Sequence, residues 1–318
     1  MIKILIAIMC LIGLSFTYSY AGNLEDADSA YKKGDYKTAY KLFLIAAKKG
    51  NVIALYNLGF MYDIGQGVLQ DKKEAAKWYR LAAEQGDEWA QFYLGDKYDT
   101  GEGVLQDKKE AVKWYRLAAE QGNARAQLSL GNMYDTGQGV LQDKKEAVKW
   151  YRLAAKQGDE WAEFYLGDKY ATGEGVLKDY KEAVKWYRLA AEHGHASAQL
   201  SLGFMYANGQ GVSQDYKEAV KWYKLAAEQK LTTAQLSLGF MYANGQGVLQ
   251  DYKEAFKWYK LAADQGYAAA KCILAVMYAR GLGITKDVTT AKRLAKEGFD
   301  AGAESCQKVW KKYNLANY

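Results

Sequence analysis

Residues 123–158 read NARAQLSLGNMYDTGQGVLQDKKEAVKWYRLAAKQG. Ala126, Leu130 and Tyr134 stand at i, i+4 and i+8, so a helix here gathers them on one face. That helix is expected from Ala124 to about Tyr134. Gly137-Gln138-Gly139 then breaks it and supplies backbone conformations that other residues resist. A second helix follows. Asp143 can accept from the free amides of its first turn, and Glu146 is placed to reach back, as in a capping box. Ala147, Trp150, Tyr151 and Ala154 form its apolar stripe, and Gly158 is expected to close it. Gly131, Ala126 and Ala154 are small where two helices must approach closely.

The pattern recurs. Trp78, Trp114, Trp150, Trp186, Trp222 and Trp258 are each 36 residues apart. Gly-x-Gly-Val begins at Gly65, Gly101, Gly137, Gly173, Gly209 and Gly245, and the Asp/Glu box recurs as Asp71/Glu74, Asp107/Glu110, Asp179/Glu182, Asp215/Glu218 and Asp251/Glu254. The frames are 51–86, 87–122, 123–158, 159–194, 195–230, 231–266 and 267–302, the last with Leu294 in place of tryptophan. One helix pair cannot bury both its faces, whereas stacked pairs share a continuous core. The expected fold is all-α: a solenoid of tandem 36-residue helix-turn-helix repeats over 51–302. A capping helical hairpin, a shortened first unit turning at Gly34-Asp35, is expected over 22–50. A C-terminal capping helix is expected over 303–318.

The consensus Ala-x-x-x-Leu-Gly-x-Met-Tyr-x-x-Gly-x-Gly-Val-x-x-Asp-x-x-x-Ala-x-x-Trp-Tyr-x-x-Ala-Ala-x-x-Gly resembles the Sel-one-like repeat, a relative of the tetratricopeptide repeat. The resemblance is strong over 51–302 and weak over 24–50. Leu141 and Ser213 stand where the family often has proline, a residue absent from this chain. The resemblance implies a right-handed superhelix that serves as an adaptor for protein complexes, often exported in bacteria, with the first helix of each repeat lining the concave surface.

Half the residues are hydrophobic and a quarter charged, a soluble balance. The net charge of +6 is small for the length, so nucleic acid is not an expected partner. Lys3, the mostly apolar run from Ile4 to Phe16 and the small-x-small site Ser19-Tyr20-Ala21 read as a signal peptide over 1–21. The run is shorter than the roughly 20 residues that a membrane span needs. A monomer in the periplasm or outside the cell, without a stable membrane span, is therefore expected. Cys272 and Cys306 would remain after cleavage, at positions six and four of adjacent frames. A disulfide between them and two buried free thiols are both open readings.

Little chemistry stands out. Ser29-Ala-Tyr-Lys32 and Ser305-Cys-Gln-Lys308 have the Ser-x-x-Lys spacing of penicillin-recognising enzymes, but no Lys-Thr-Gly or Ser-Asp-Asn follows. His193-Gly-His195 lacks a nearby cysteine cluster and reads as a solvated turn rather than a metal site. The Gly-x-Gly loops follow helices, not the strand a phosphate cradle requires. No catalytic residue, metal or cofactor is assigned.

The repeats differ most at positions 3, 7, 10 and 14, which share one face of the first helix, opposite the Ala/Leu/Tyr stripe. Frame two carries Trp89, Tyr93, Asp96 and Thr100 there, and frame four Trp161, Tyr165, Asp168 and Thr172. Frame three carries Arg125, Ser129, Asn132 and Thr136; frames five and six carry Ser197, Ser201, Phe204, Asn208 and Thr233, Ser237, Phe240, Asn244. Exposed Trp and Tyr are typical binding hot spots. Duplication of a two-repeat block also accounts for the likeness of Asp87–Tyr98 and Asp159–Tyr170. The partner-binding candidates are Trp89, Tyr93, Asp96, Arg125, Asn132, Trp161, Tyr165, Asp168, Phe204 and Phe240. The expected function is a non-enzymatic scaffold holding a protein or peptide segment in its concave groove. The alternative is a protein that binds or hydrolyses cell-wall glycopeptide or β-lactams, because aromatic platforms suit sugars as well.

Overall fold

The computed structural model describes residues 24–313. Helix α1 covers 24–32 and α2 covers Tyr36–Lys48. Seven pairs follow. Their first (A) helices are α3 (Val52–Ile64), α5 (Glu88–Thr100), α7 (Ala124–Thr136), α9 (Glu160–Thr172), α11 (Ala196–Asn208), α13 (Thr232–Asn244) and α15 (Ala268–Arg280). Their second (B) helices are α4 (Lys72–Glu84), α6 (Lys108–Glu120), α8 (Lys144–Ala155), α10 (Tyr180–Glu192), α12 (Tyr216–Glu228), α14 (Tyr252–Asp264) and α16 (Val288–Asp300). Helix α17 (Ser305–Lys312) lies within the expected closing helix. Among the described residues there is no strand. The expected signal peptide lies outside the described residues.

The chain forms two compact units, one up to Gln157 and one from Gly158 onward. In each, a helix packs on its hairpin partner and on its next neighbour in the chain, the stacking of a solenoid. The packing explains the glycine at position nine. A Cβ on Gly131 would lie 2.6 Å from the Tyr151 ring, and Gly95 and Gly59 seat Tyr115 and Tyr79 in the same way.

The buried stripe of the B helices differs from the expected one. In α8 it is Ala147, Val148, Tyr151, Ala154 and Ala155, while Trp150 is only half-buried. Trp150 leans on the cluster made by α6 and α7. Trp222 and Trp258 do the same on the clusters of α10 with α11 and α12 with α13. These tryptophans thus flank the layers they lean on, and tyrosines fill those layers.

The capping box is one-sided. Asp143 accepts from the amides of Lys145 (2.9 Å) and Glu146 (3.0 Å). Its own amide donates to the Tyr134 carbonyl at 2.9 Å. Glu146 pairs with Lys149 at 2.6 Å instead of reaching back. The loop folds onto the end of the A helix and takes the donor that Glu146 would have used. Of the two loop glycines, Gly137 ends α7 with φ at 76°. Gly139 (φ +71°) sits where a Cβ would lie 2.2 Å from the Lys108 carbonyl of the preceding repeat. Helix α8 ends at Ala155 with Lys156 as its cap. Gly158, expected to close it, turns the chain afterwards with φ at 83°.

Candidate functional site

In the first unit, the A-helix face is graded from rim to floor. Trp89 is 40% exposed. Arg125 of the next repeat sits over its ring at 5.9 Å. Tyr93 is half-buried and stacks on the core Tyr79 at 5.3 Å. Asp96, expected to be open, is half-buried, and burial pushes its carboxyl above the ordinary value despite the pull of Lys97. Asn132 is half-buried too and accepts the Tyr151 hydroxyl at 2.8 Å. Trp89 and Arg125 are therefore offered to solvent, while Asp96 and Asn132 form the floor.

In the second unit, Trp161 is 49% exposed, with the half-buried Tyr165 ring 6.3 Å away. Asp168 is half-buried and faces Tyr187, whose hydroxyl is held above its ordinary value chiefly by burial. Further along, Phe204 and Phe240 are each 51% exposed. They wall two adjoining cavities of about 520 and 590 Å³ that share Phe204, Tyr223 and Ser237. Leu200 and Tyr187 complete the first cavity, and Leu236, Tyr259 and Ile273 the second. Among the described residues, no charged side chain lines either cavity.

Two side-chain systems beneath the face went unassigned in the sequence. The first is ionic. The Lys97 ammonium, 3% exposed, lies 2.6 Å from Asp63 and 3.0 Å from Glu102. Lys72 reaches the same carboxylates at 2.9 and 3.2 Å and, with Lys97, holds Glu102 below the ordinary carboxylate range. The legible signal is a paired exchange. Positions 11 and 16 are Met133/Gln138, Met205/Gln210 and Met241/Gln246, but Lys97/Glu102 and Lys169/Glu174. Lys169 and Glu174 are 2.8 Å apart.

The second system joins positions 5 and 35. Gln121 donates to Gln91 (2.7 Å) and to the Gly86 carbonyl (3.0 Å), and Gln157 and Gln229 repeat both bonds on Gln127 and Gln199. In frame four the pair is Glu163 and His193, 2.8 Å apart. Burial raises the Glu163 carboxyl and His193 lowers it, with burial the larger effect. The expected solvated turn at His193-Gly-His195 is thus corrected. His193 is exposed but engaged, and His195 is buried at 7% exposure as the N-cap of α11. Phe164 and Trp161 of the preceding A helix cover it.

The Ser-x-x-Lys motifs are engaged elsewhere. Lys32 pairs with Asp28 at 2.6 Å, and the Ser305 hydroxyl donates to the Cys272 sulfur at 3.3 Å. No cluster of metal-ligating side chains occurs among the described residues. Cys272 and Cys306 are joined as a disulfide with Cα atoms 4.9 Å apart, tying α17 to α15. A Cβ on Gly298 would lie 2.4 Å from the Cys306 sulfur, so that glycine makes room for the bridge. Replacing both cysteines by alanine is expected to cost about 4 kcal/mol, the chain-entropy value for a sequence separation of 34. Urea unfolding measures the cost. Two free thiols, counted under denaturing, non-reducing conditions in protein from an oxidising compartment, would contradict the bond.

Stacked helix pairs of fixed period, with a solvent-facing aromatic A-helix face, define a helical-repeat solenoid protein. The Sel1 repeat matches residues 26–51, 52–87, 90–123, 124–159, 162–195, 196–231, 232–267 and 268–302, so the chain belongs to the Sel1 repeat family. The first match falls on the hairpin of α1 and α2. The chain is similar to a solved protective antigen of uropathogenic Escherichia coli strains displaying an SLR fold. The two share 35% identity and a TM-score of 0.88 over 96% of this chain and 67% of that one. A Sel1 repeat protein from Oxalobacter formigenes is 40% identical, with a TM-score of 0.68, over 76% of this chain and 99% of that one. Among curated proteins there is no match. Sel1-repeat proteins are generally protein-interaction scaffolds. No helix among the described residues is long and apolar enough to cross a membrane.

Proposed function

We propose that this chain is an exported, non-enzymatic scaffold that holds protein partners against the A-helix faces of its two units. The observation that carries this reading is the exposure of Trp89, Trp161, Phe204 and Phe240, four large aromatics on one register of helices whose other faces are packed. With about half of each ring in water, each forfeits half of the roughly 1.5–3 kcal/mol that full burial brings. Covered by a partner, each has its base already ordered, Trp89 by Phe92, Trp161 by Tyr165 and the two phenylalanines by the paired cavities. Arg125 over Trp89 adds a cation to the first anchor, and the uncharged lining around Phe204 and Phe240 suits neutral, apolar side chains.

The test begins with crosslinking capture of a defined partner in the native host, then measures affinity. Trp89→Ala and Trp161→Ala are each expected to weaken binding by about 2 kcal/mol, roughly 30-fold. Melting of Trp89→Ala should stay near that of the parent chain, because its ring lies outside the buried stripe, whereas Trp161→Ala also uncovers His195 and should melt somewhat lower. Undiminished binding by both variants rejects the anchors.

A further inference from the structure

Both histidines of this chain lie at one turn, between α10 and α11. We propose that His195 is an acid-sensitive support beneath Trp161, so that acidification disturbs the pose in which this anchor is offered to a partner. The inference rests on the scaffold reading for its functional meaning, though its physical basis does not involve a partner.

The His195 Nδ1 accepts the Ala198 amide at 3.1 Å. An accepting Nδ1 carries no proton, so the capping imidazole is neutral with its hydrogen on Nε2. That Nε2 is buried without a hydrogen-bond partner. The ring stacks on Phe164 at 4.7 Å and meets the Trp161 ring edge-on at 4.4 Å. At the same position, Asn51, Asp87, Asn123 and Asp159 cap with oxygens. Those acceptors persist in mild acid. The imidazole does not, because protonation places a hydrogen on Nδ1 and turns it against the Ala198 N–H. The cap is lost, and a charge appears among apolar rings next to Trp161.

The charged groups around the ring come from several elements. Asp159 and Glu160 at the start of α9 favour the proton, but burial outweighs them and holds His195 below the ordinary value of 6.5. Glu163 on α9 is taken up by His193 at the end of α10. From the end of α12, Gln229 reaches the Gly194 carbonyl with an uncharged amide. A depressed histidine is neutral in the fold, while the unfolded chain binds the proton more readily. Its stabilising contribution is therefore complete above about pH 6.5 and is lost as the pH falls through the lower folded value. Glu163, raised by burial, works in the opposite sense nearer its own range, so the comparison must isolate His195.

His195→Asn does so, keeping the cap that Asn123 makes on Ala126 at 2.9 Å. The full chain without partner is melted from about pH 7.5 to about pH 5, the range in which histidine switches. Indole emission is followed in parallel, with a Trp161→Phe chain subtracted to isolate Trp161. On acidification, the parent chain should lose about 2–4 °C relative to His195→Asn, and its Trp161 emission should change. His195→Asn should show a flat Trp161 signal. His195→Asp, the cap used at Asp159, provides the same comparison should the first variant fold poorly. Variants that follow the parent at every pH, or a Trp161 emission indifferent to pH in the parent, overturn the proposal. A parent chain that passes this assay but binds partners without Trp161 overturns the anchor reading alone.

Discussion

Lys97→Ala is expected to destabilise the first unit by about 3–5 kcal/mol, the usual cost of breaking a buried ion pair from one side. The ammonium is 3% exposed and has two carboxylates within 3.0 Å. Truncation leaves a cavity and removes the nearer cation from Asp63, whose side chain is only 12% exposed. Lys72 remains at 2.9 Å, which sets the effect toward the lower end of the range. Lys97→Met with Glu102→Gln should recover most of the loss. The next repeat already has that arrangement, with Met133 and Gln138 in place while Asp99 keeps Lys108 at 2.6 Å. Replacing buried ions by apolar groups of similar volume is often neutral. Urea unfolding of the three chains decides. A loss below about 1 kcal/mol for Lys97→Ala, or a double variant no better than the single one, would show that the network contributes little.

That network also marks where the sequence stops being legible by local rules. The repeat, the two helices per repeat and their boundaries follow from a 36-residue recurrence of Trp150-type and Gly137-type positions. Glycines at φ near 75° end the A helices as their chemistry requires. Trp150 and Tyr151, adjacent on one turn, both fit an apolar stripe. Which one lies at its centre depends on Gly131, which leaves room for a ring from only one of them. The reach-back of Glu146 fails because Asp143 donates to Tyr134, nine residues earlier in the chain, a bond that no i, i+3 pattern encodes.

The candidate face was legible as a register but not as a depth. Trp89, Trp161, Phe204 and Phe240 are at the rim, as a face opposite the core stripe implies. Asp96 and Asn132 sink because the buried tyrosines of the B helices, Tyr79 and Tyr115 for the first and Tyr151 for the second, lie against them, which one helical wheel does not show. The paired exchanges Lys97/Glu102 and Glu163/His193 were visible in the repeat columns. They lie at positions 5, 11, 16 and 35, off the varying face. There a polar side chain changes in step with its contact because burial forbids changing one alone.

Tyr151→Ala is expected to cost about 3–5 kcal/mol, as for other fully buried aromatic truncations. The ring is 0% exposed. Its nearest wall is Gly131, which has no side chain to move into the space. The hydroxyl donates to Asn132 at 2.8 Å, so truncation also removes a bond from the floor of the A-helix face. Tyr151→Phe keeps the ring and should cost about 1 kcal/mol, the net value of one hydrogen bond. Trp150→Ala should cost less than Tyr151→Ala, about 2 kcal/mol, because its half-buried indole already spends part of its area in water. Urea unfolding gives the order Tyr151→Ala, Trp150→Ala, Tyr151→Phe. Trp150→Ala as the most damaging of the three would return the core to the tryptophans. The order also bears on function. Asn132 is shared between the buried tyrosine and the proposed binding face, so a core lesion at Tyr151 should loosen that face as well. Weakened partner binding by Trp89→Ala therefore counts for a direct contact only when its unfolding curve matches the parent's, and Tyr151→Phe, with ring intact and Asn132 released, supplies the reference for an indirect effect.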